Sequence, residues 1–411
     1  MAPRSHVPPT NVPVHRIDLS LPPRERYKEL ARQYIPQIAS ITPLFNQLLA
    51  DLGIPEKRHG TVNTLARLML RGVYSPVETA ELRGICEVTG VDMYLLVALN
   101  VVLDLLMGCT SSTVRSDIGK IWHLRTLDWG MDPLRDVIVQ LDFIRSDSRR
   151  RERPQPDGSD RSDEVIASSI TYVGFVGVLT GARPGLSMSL NFRALHNAHT
   201  RWGHIRFYAH HLAVLLGYRQ SISSVLRQYL LDDDRKPVTL EPKKLAEIEL
   251  DFQLIHTTAA YLVFCDGSHS VAVEKDFATA NIRWDKDGFL VATNHDLEDT
   301  NTGKDPTPAG AHSGQLARMK AMEELVEDSK ERSECVSAKW RTVARRASGR
   351  STRSSRGLFG ISQDDAIKWV CDWPTTNETT HFATVMDAKD GVIRWAHAYP
   401  EPALEPSACR A

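Results

Sequence analysis

The chain has 411 residues, enough for one large domain or for two or three smaller ones. Hydrophobic residues make up 42% of it and charged residues 25%, proportions that are typical of a soluble globular protein. Its 50 Lys and Arg residues balance 51 Asp and Glu residues. We therefore expect no nucleic-acid partner, because nucleic-acid-binding modules carry an excess of basic residues.

The opening residues and the cysteines indicate the compartment. The first residues contain no apolar core of a signal peptide, and no uninterrupted apolar run reaches the length of a membrane span. Six cysteines are scattered without a Cys-x-x-Cys pair, which argues against a disulfide framework and against a zinc knuckle. We therefore expect a reducing compartment and a cytoplasmic location.

The first quarter of the chain is predicted to be helical. Over residues 24–107 apolar positions recur at helical spacing, interrupted at Pro36 and Pro43. Ser75 and Pro76 form a cap followed by a first-turn proline. The last helix of this series is apolar on most faces, so we expect it to be buried.

Strand patterns begin at Cys109. "CTSSTV" and "KIWHLRTLDW" predict two strands joined by a turn, and "IVQLDFIR" predicts a third. "SSITYVGFVGVLTGARPGLSMSLNFR" predicts two strands around a turn at Gly181–Gly185. "AAYLVFCDGSHSVAVEKDF" and "GFLVATNHD" predict further strands, residues 204–232 and 315–346 are helical in pattern, and a hairpin closes the chain. This order predicts sheets covered by helices.

Cys109 is a candidate nucleophile, because a thiolate next to a base and a cation can attack an amide. Arg125 and Asp128 lie on the returning strand, three residues apart. They reach the same cysteine only where the strand ends or bulges near Asp128. The base is either His123 or the amino group of Cys109 itself, freed by a cut after Gly108. The alternative is a buried core cysteine beside a structural ion pair.

Short blocks in a fixed order along the chain resemble the acid ceramidase and N-acylethanolamine acid amidase family of N-terminal-nucleophile cysteine hydrolases. The blocks are "VPVHRIDLSLPPRERY", "RGICEVTGVDMYLLVALNVVLDLLMGCTS", "HLRTLDWG", "SSITYVGFVGVLTGARPGLSMSLNFR", "TNHD" and "ATVMDAKDGVIR".

The resemblance implies an α+β fold, a four-layer αββα sandwich. Residues 1–108 would form a helical α-subunit segment and residues 109–411 the catalytic β-subunit of a zymogen that cleaves itself between Gly108 and Cys109. The product would be an α/β heterodimer that hydrolyses lipid N-acyl amides of the ceramide or N-acylethanolamine type. It would need no cofactor and no metal, and would touch a membrane surface transiently. We expect alternate residues of Tyr172–Leu179 to line an acyl groove.

The resemblance also assigns the site residues. Cys109 would be nucleophile and base, Arg125 and Asp128 would orient the amino terminus and the substrate, and Asn294 would donate to the oxyanion. Arg332 is the best match to a family arginine.

Two matches leave alternatives open. Arg318 is the second match to that arginine. Phe192 stands where the family has an acidic residue. An acyltransferase of the isopenicillin N acyltransferase kind, which passes the acyl group to an amine, or a non-catalytic relative are the other functions that this pattern allows.

Overall fold

Two β-sheets packed face to face form the centre of the molecule. The structure is a computed structural model that describes residues 8–51, 54–102, 108–146, 164–193, 200–231, 242–296, 313–348 and 359–405. The first sheet has the strand order β1-β14-β13-β4-β3-β12, and the second has the order β11-β10-β9-β8-β7-β6-β5-β2. The strands are β1 (Thr10–Asn11), β2 (Val14–Asp18), β3 (Gly108–Arg115), β4 (Ile121–Asp128), β5 (Ile138–Ile144), β6 (Val165–Tyr172), β7 (Thr180–Arg183), β8 (Leu186–Phe192), β9 (Ala260–Cys265), β10 (Ser270–Lys275), β11 (Ala280–Trp284), β12 (Phe289–Ala292), β13 (Thr380–Asp387) and β14 (Val392–Ala398).

Helices cover the outer face of each sheet. They are α1 (Lys28–Gln33), α2 (Ile35–Ser40), α3 (Leu44–Asp51), α4 (Glu56–Met69), α5 (Pro76–Thr89), α6 (Met93–Val102), α7 (Arg201–Leu215), α8 (Ile222–Leu231), α9 (Leu245–Leu254), α10 (Ser313–Ser348) and α11 (Gln363–Cys371). Helices α10 and α11 pack on the first sheet, and α8 and α9 pack on the second. The predicted α+β, four-layer αββα architecture is therefore confirmed.

Strand alternation explains the two sides of the first sheet. Trp122 and Leu124 of β4 point outward and pack with Trp369 of α11 in one apolar cluster. His123 and Arg125, between and after them, point inward toward the second sheet and are fully buried. A polar layer thus lies between the two sheets, where polar groups need hydrogen-bond partners.

The segment before Cys109 differs from the prediction, because it is not entirely helical. Its strand β1 pairs with β14, and its strand β2 pairs in parallel with β5. It therefore supplies one strand to each sheet in addition to helices α1–α6. Residues 103–107, the end of the predicted helix before Gly108, are outside the described residues.

Most other predicted elements are confirmed, with local differences. The stretch from "SSITYVG" to "LNFR" forms three strands, β6, β7 and β8, where two were predicted. Strand β6 ends at Tyr172, shortly before Gly174, whose φ of 95° breaks the extended chain. Strand β11 and helices α9 and α11 were not predicted. Within the described part of the chain, no helix combines the length and the apolar character that crossing a membrane requires.

Candidate active site

Cys109 is the second residue of β3 and lies between the two sheets. It is completely buried. In the hairpin, Gly108 pairs with Asp128 and Ser111 pairs with Arg125. Side chains two residues apart on a strand point to the same face of the sheet. The Ser111 hydroxyl bonds to Asn191 of the second sheet, so the thiol of Cys109 points toward that sheet as well.

Asn294 holds the backbone nitrogen of Cys109. The Cys109 N–H donates to Oδ1 of Asn294 at 2.7 Å, although 185 residues separate the two along the chain. The amide Nδ2 of Asn294 donates to the carbonyl of Phe192 at 2.7 Å. The side-chain oxygen, rather than the NH2 group, therefore faces Cys109. This differs from the predicted role, in which Asn294 donates to an oxyanion.

Two residues of α10 in turn hold Asn294. Arg332, which is 3% exposed, donates from Nη2 to Oδ1 of Asn294 at 3.1 Å. Ser329 accepts the backbone N–H of Asn294 at 2.6 Å. The structure thus brings Arg332 into the site, and the side chain of its alternative, Arg318, is outside the described residues.

Arg125 is a fully buried guanidinium beside Cys109. It donates to Asn191 Oδ1 at 2.5 Å, to the carbonyl of Leu190 at 2.6 Å, to Thr180 Oγ1 at 3.3 Å and to Ser111 Oγ at 3.4 Å. All four acceptors are neutral, so these bonds fix the position of the cation without neutralising it. This arrangement does not fit a simple structural ion pair with Asp128.

Asp128 is the last residue of β4, directly opposite Gly108. Its Oδ1 accepts the hydroxyl of Thr380 at 2.7 Å. The predicted strand end near Asp128 is confirmed, because β4 ends at this residue. The partner strand β13 shifts register opposite this end, between Thr380 and Phe382. Burial raises the pKa of Asp128, and the positive charge of Arg332 is the largest opposing effect.

Burial also raises the pKa of the Cys109 thiol, and the charge of Arg125 opposes this rise. The thiol therefore starts protonated at neutral pH, and a nucleophilic role requires a base to remove its proton.

His123 does not fit that role. Its Nδ1 lies 2.8 Å from the Ser187 hydroxyl and its Nε2 lies 2.9 Å from the Ser189 hydroxyl. Burial, with the nearby Arg125 charge, lowers the pKa of His123 to about 3. Since both ring nitrogens are occupied, the α-amino group of Cys109 is the remaining one of the two predicted bases.

Phe192 contributes its backbone carbonyl, and not its side chain, to the position of Asn294. The neighbouring Arg193 forms buried ion pairs with Asp276 at 3.0 Å and Asp296 at 2.6 Å. The link from β8 to Asn294 is thus independent of the side chain at position 192.

The sequence did not predict the roles of four residues at this site: Thr380, Ser329, and the hydrogen-bonded pair Tyr172 and His381, in which the Tyr172 hydroxyl lies 2.7 Å from Nδ1 of His381. The pair packs against Trp129, which follows Asp128. Each enters from a distant strand or helix, so only knowledge of the strand order could have identified it.

An apolar cavity opens beside the site. It encloses about 550 Å³ of empty space when the open solvent at its mouth is included, of which about 60 Å³ can hold the centre of a water molecule. Trp129 forms part of its wall together with residues of the α2–α3 region, of α6 and of the chain after β4. These include Ile41, Leu44, Phe45, Leu95, Leu99, Met131 and Leu134.

The predicted acyl groove at Tyr172–Leu179 is wrong, because these residues are fully buried in the core. The glycines in this region instead allow helix α8 to pack closely against the strands. A Cβ at Gly177 would lie 2.8 Å from the Ser223 hydroxyl, and one at Gly181 would lie 2.8 Å from Leu230 Cδ2, both on α8. Close packing of α8 therefore fills the space that an acyl chain would need.

Two helices carry apolar side chains into solvent. On α7 these side chains recur every three or four residues, and on α4 three more are exposed. They are Trp202, Ile205, Tyr208 and Leu212 on α7, and Leu65, Leu68 and Met69 on α4. We call this set the exposed apolar face. Helix α6, which lines the cavity, contacts both α4 and α7.

Among the described residues, no group of three His, Cys, Asp or Glu side chains is placed to hold a metal ion.

Comparison with known proteins gives matches of several kinds. A family model described as the beta subunit of N-acylethanolamine-hydrolyzing acid amidase matches residues 10–74. Acid ceramidase of Mus musculus is 29% identical over 204 residues, which are 44% of this chain and 46% of that protein. N-acylethanolamine-hydrolyzing acid amidase of Caenorhabditis elegans is 26% identical over 193 residues, 44% of this chain and 47% of that protein. The chain thus spans about half the length of the curated relatives it matches.

Among solved structures, the Caenorhabditis elegans N-acylethanolamine-hydrolyzing acid amidase ortholog aligns with a TM-score of 0.42 at 18% identity. The alignment covers 70% of this chain and 98% of that chain.

Proposed function

We propose that the chain is a member of the acid ceramidase and N-acylethanolamine acid amidase family, which it resembles in part of its sequence, and that it is a cysteine amidase that cleaves itself between Gly108 and Cys109 and then hydrolyses lipid N-acyl amides. The observation that carries the proposal is the bond between the Cys109 nitrogen and Asn294, next to the buried Arg125 cation. A core cysteine needs neither of these contacts.

Self-cleavage begins when Sγ of Cys109 attacks the carbonyl carbon of Gly108. The thiol proton passes to the departing nitrogen, and a thioester replaces the peptide bond. Water then hydrolyses the thioester, which leaves a carboxylate on Gly108 and a free amine and thiol on Cys109. The contact with Asn294 supports this step, because its Oδ1 already accepts from the nitrogen that becomes the amine.

Turnover uses the new amino group as the base. An α-amino group has an ordinary pKa of about 7.7–8.0, so near neutral pH part of it is free to take the thiol proton. The thiolate attacks the amide carbon of the substrate, the amino group returns the proton to the leaving amine, and water hydrolyses the acyl thioester. Asn294, which Arg332 holds in place, binds the amine, and the Arg125 charge favours the thiolate.

The cavity next to Trp129 is the proposed binding site for the acyl chain of the substrate. Its wall is almost entirely apolar, and Trp129 directly follows the site residue Asp128. An acyl chain buried there gains about 0.8 kcal/mol for each methylene group.

The exposed apolar face supports transient contact with a membrane surface. Its two helices both contact the cavity-lining helix α6, and Arg67, Arg71, Arg201 and Arg206 are exposed on or next to these two helices. Basic residues beside an apolar helix face favour the surface of an anionic bilayer.

Both pieces of a cleaved chain would stay joined as an α/β heterodimer. Strands β1 and β2 remain paired with β14 and β5. In addition, Glu81 of α5 forms two hydrogen bonds of 2.7 Å with Arg227 of α8, completely buried between the two parts.

The expected cytoplasmic location remains part of the proposal. It rests on the scattered cysteines of the sequence, which contain no Cys-x-x-Cys pair.

Intact mass spectrometry of the purified protein tests self-cleavage. We expect two fragments, residues 1–108 and 109–411, with Cys109 as the new amino terminus. Cys109→Ala should stay in one piece, and the matched control Cys265→Ala, at another fully buried cysteine, should be cut normally. Cleavage of Cys109→Ala at the same bond would contradict the proposal.

Product analysis on a panel of N-acyl amides tests the reaction itself. Free fatty acid should accumulate at the same rate with and without an added acceptor amine. A new amide formed from the added amine would instead identify an acyltransferase.

A further inference from the structure

A short chain of hydrogen bonds connects His295 to Cys109. Nδ1 of His295 lies 2.8 Å from Oγ of Ser329. The same Oγ accepts the backbone N–H of Asn294 at 2.6 Å, and Oδ1 of Asn294 accepts from the Cys109 nitrogen at 2.7 Å. We propose that neutral His295 is a positioning residue, which holds Asn294 against Cys109 through Ser329, and that its protonation switches the site off in acid. This proposal rests on the proposed function.

The arrangement of hydroxyl groups indicates that Nδ1 of His295 is an acceptor. The Thr293 hydroxyl lies 3.0 Å from Nδ1, so two hydroxyls, those of Thr293 and Ser329, converge on one ring nitrogen. A neutral imidazole with its hydrogen on Nε2 offers a lone pair there. Protonation places a hydrogen on Nδ1 and turns the acceptor into a donor, so the hydroxyl hydrogen of Ser329 must rotate away and the oxygen that accepts the Asn294 N–H faces a second donor.

The charges around His295 oppose its protonation. They come from α10, from β11 and from the next residue in the chain, and they are Lys330, Arg332, Arg283 and Asp296. Only Asp296 is an anion, and it is bound by Arg193. Burial, followed by the nearby cations, lowers the pKa of His295 to about 4. Since Arg332 also donates to Asn294, a charged His295 would repel one of the two side chains that hold Asn294.

Kinetics against pH test the relay. His295→Asn places a non-titrating acceptor near the position of Nδ1. We expect the ratio of wild-type kcat to His295→Asn kcat to fall about fourfold between pH 6 and pH 3.5, as one group with a pKa near 4 requires. Ser329→Ala should lower kcat about tenfold at pH 7 with KM unchanged, since it removes one buried hydrogen bond. His269→Asn, at a histidine whose side chain is 68% exposed, is the matched control and should follow wild type at every pH.

NMR of the Asn294 backbone amide tests the same relay without any substrate. Its shift should move with a midpoint near pH 4 in wild type and should not move in His295→Asn. A kcat ratio that stays constant with pH, or an amide shift that still moves in His295→Asn, would overturn the relay. A wild type that hydrolyses no amide would overturn the proposed function, and the NMR titration would still decide for or against the relay.

Discussion

At the scale of the residue, the direction of single polar atoms decides the chemistry that each side chain can perform. Asn294 is an example, because its oxygen takes the Cys109 N–H while its NH2 group is bound by the Phe192 carbonyl. Asn294 thereby positions the Cys109 nitrogen, which the proposed self-cleavage would turn into an amine. The absence of an acidic side chain at position 192 leaves this link intact, since a backbone carbonyl forms it.

Asp128 provides the sharpest test at this scale. Asp128→Asn keeps the shape and the acceptor for Thr380 but removes the ionisable carboxyl group. We expect the turnover rate to fall about 10- to 100-fold, because a hydrogen bond to a charged group contributes about 1.5–3 kcal/mol. Initial rates on an N-acyl amide and thermal unfolding of the same protein measure the change. Asp132→Asn, at a nearby carboxylate that is 65% exposed, is the control, and equal rates in the two variants would reduce Asp128 to a structural residue.

At the scale of the element, α5 connects the two parts of the chain through Glu81. This carboxylate is completely buried and accepts from Arg227 of α8 and from Arg26, which lies before α1. Two buried cations thus share one anion. A buried ion pair of this kind adds little net stability, but removing one partner leaves the others uncompensated.

Glu81→Ala should therefore destabilise the protein by about 3–5 kcal/mol. Urea unfolding of the Cys109→Ala chain, which is expected to stay in one piece, measures this loss. Glu87→Ala, on the same helix but at an exposed ion pair with Arg24, should change the unfolding midpoint little. In the cleaved wild-type background, Glu81→Ala should also let the N-terminal fragment dissociate during gel filtration. Equal stability of the two variants would show that the strand pairing alone joins the parts.

At the scale of the whole molecule, the cavity forms where the helices before Cys109 meet the sandwich. Residues of α6 and of the chain after β4 face each other across it, so neither part encloses it alone. The exposed apolar face lies on α4 and α7, and both helices contact the cavity-lining helix α6. The arrangement predicts that acyl length and membrane binding are controlled from this one region.

Acyl length is tested by filling the cavity. Rates on a series of N-acyl amides should rise with chain length, up to about fourfold per methylene group, until the cavity is full. Leu99→Trp should stop this rise at a shorter chain and leave the rates on short amides near wild type. Leu250→Trp, at an exposed leucine of α9, is the control. A rate that is independent of chain length in wild type would exclude the cavity as the acyl site.

Membrane contact is tested with vesicles that contain anionic lipid. Trp202, which is 74% exposed on α7, should insert, so Trp202→Ser should weaken vesicle binding severalfold in a flotation assay. Trp284→Ser, at a tryptophan that is 41% exposed on β11 and bound to Glu249, should not. Equal binding of both variants to the vesicles would place the contact elsewhere.

The sequence by itself determined the local elements of this protein. Helical spacing predicted the helices between residues 24 and 102, and alternation predicted the β3–β4 hairpin that sets Cys109 beside Arg125 and Asp128. These features depend on neighbours in the chain, which is why periodicity reveals them. The family resemblance, and not periodicity, pointed to Asn294 and Arg332.

The tertiary structure decided which distant groups meet. The Oδ1 of Asn294 reaches Cys109 because β12 pairs with β3, a contact between strands far apart in the chain. The short strands β1 and β2 exist only because β14 and β5 offer edges for pairing. The glycines at 177 and 181 carried no signal that α8, rather than an acyl chain, fills the space above them. Strand order and sheet packing are set by burial across the whole fold, so no local pattern could specify them.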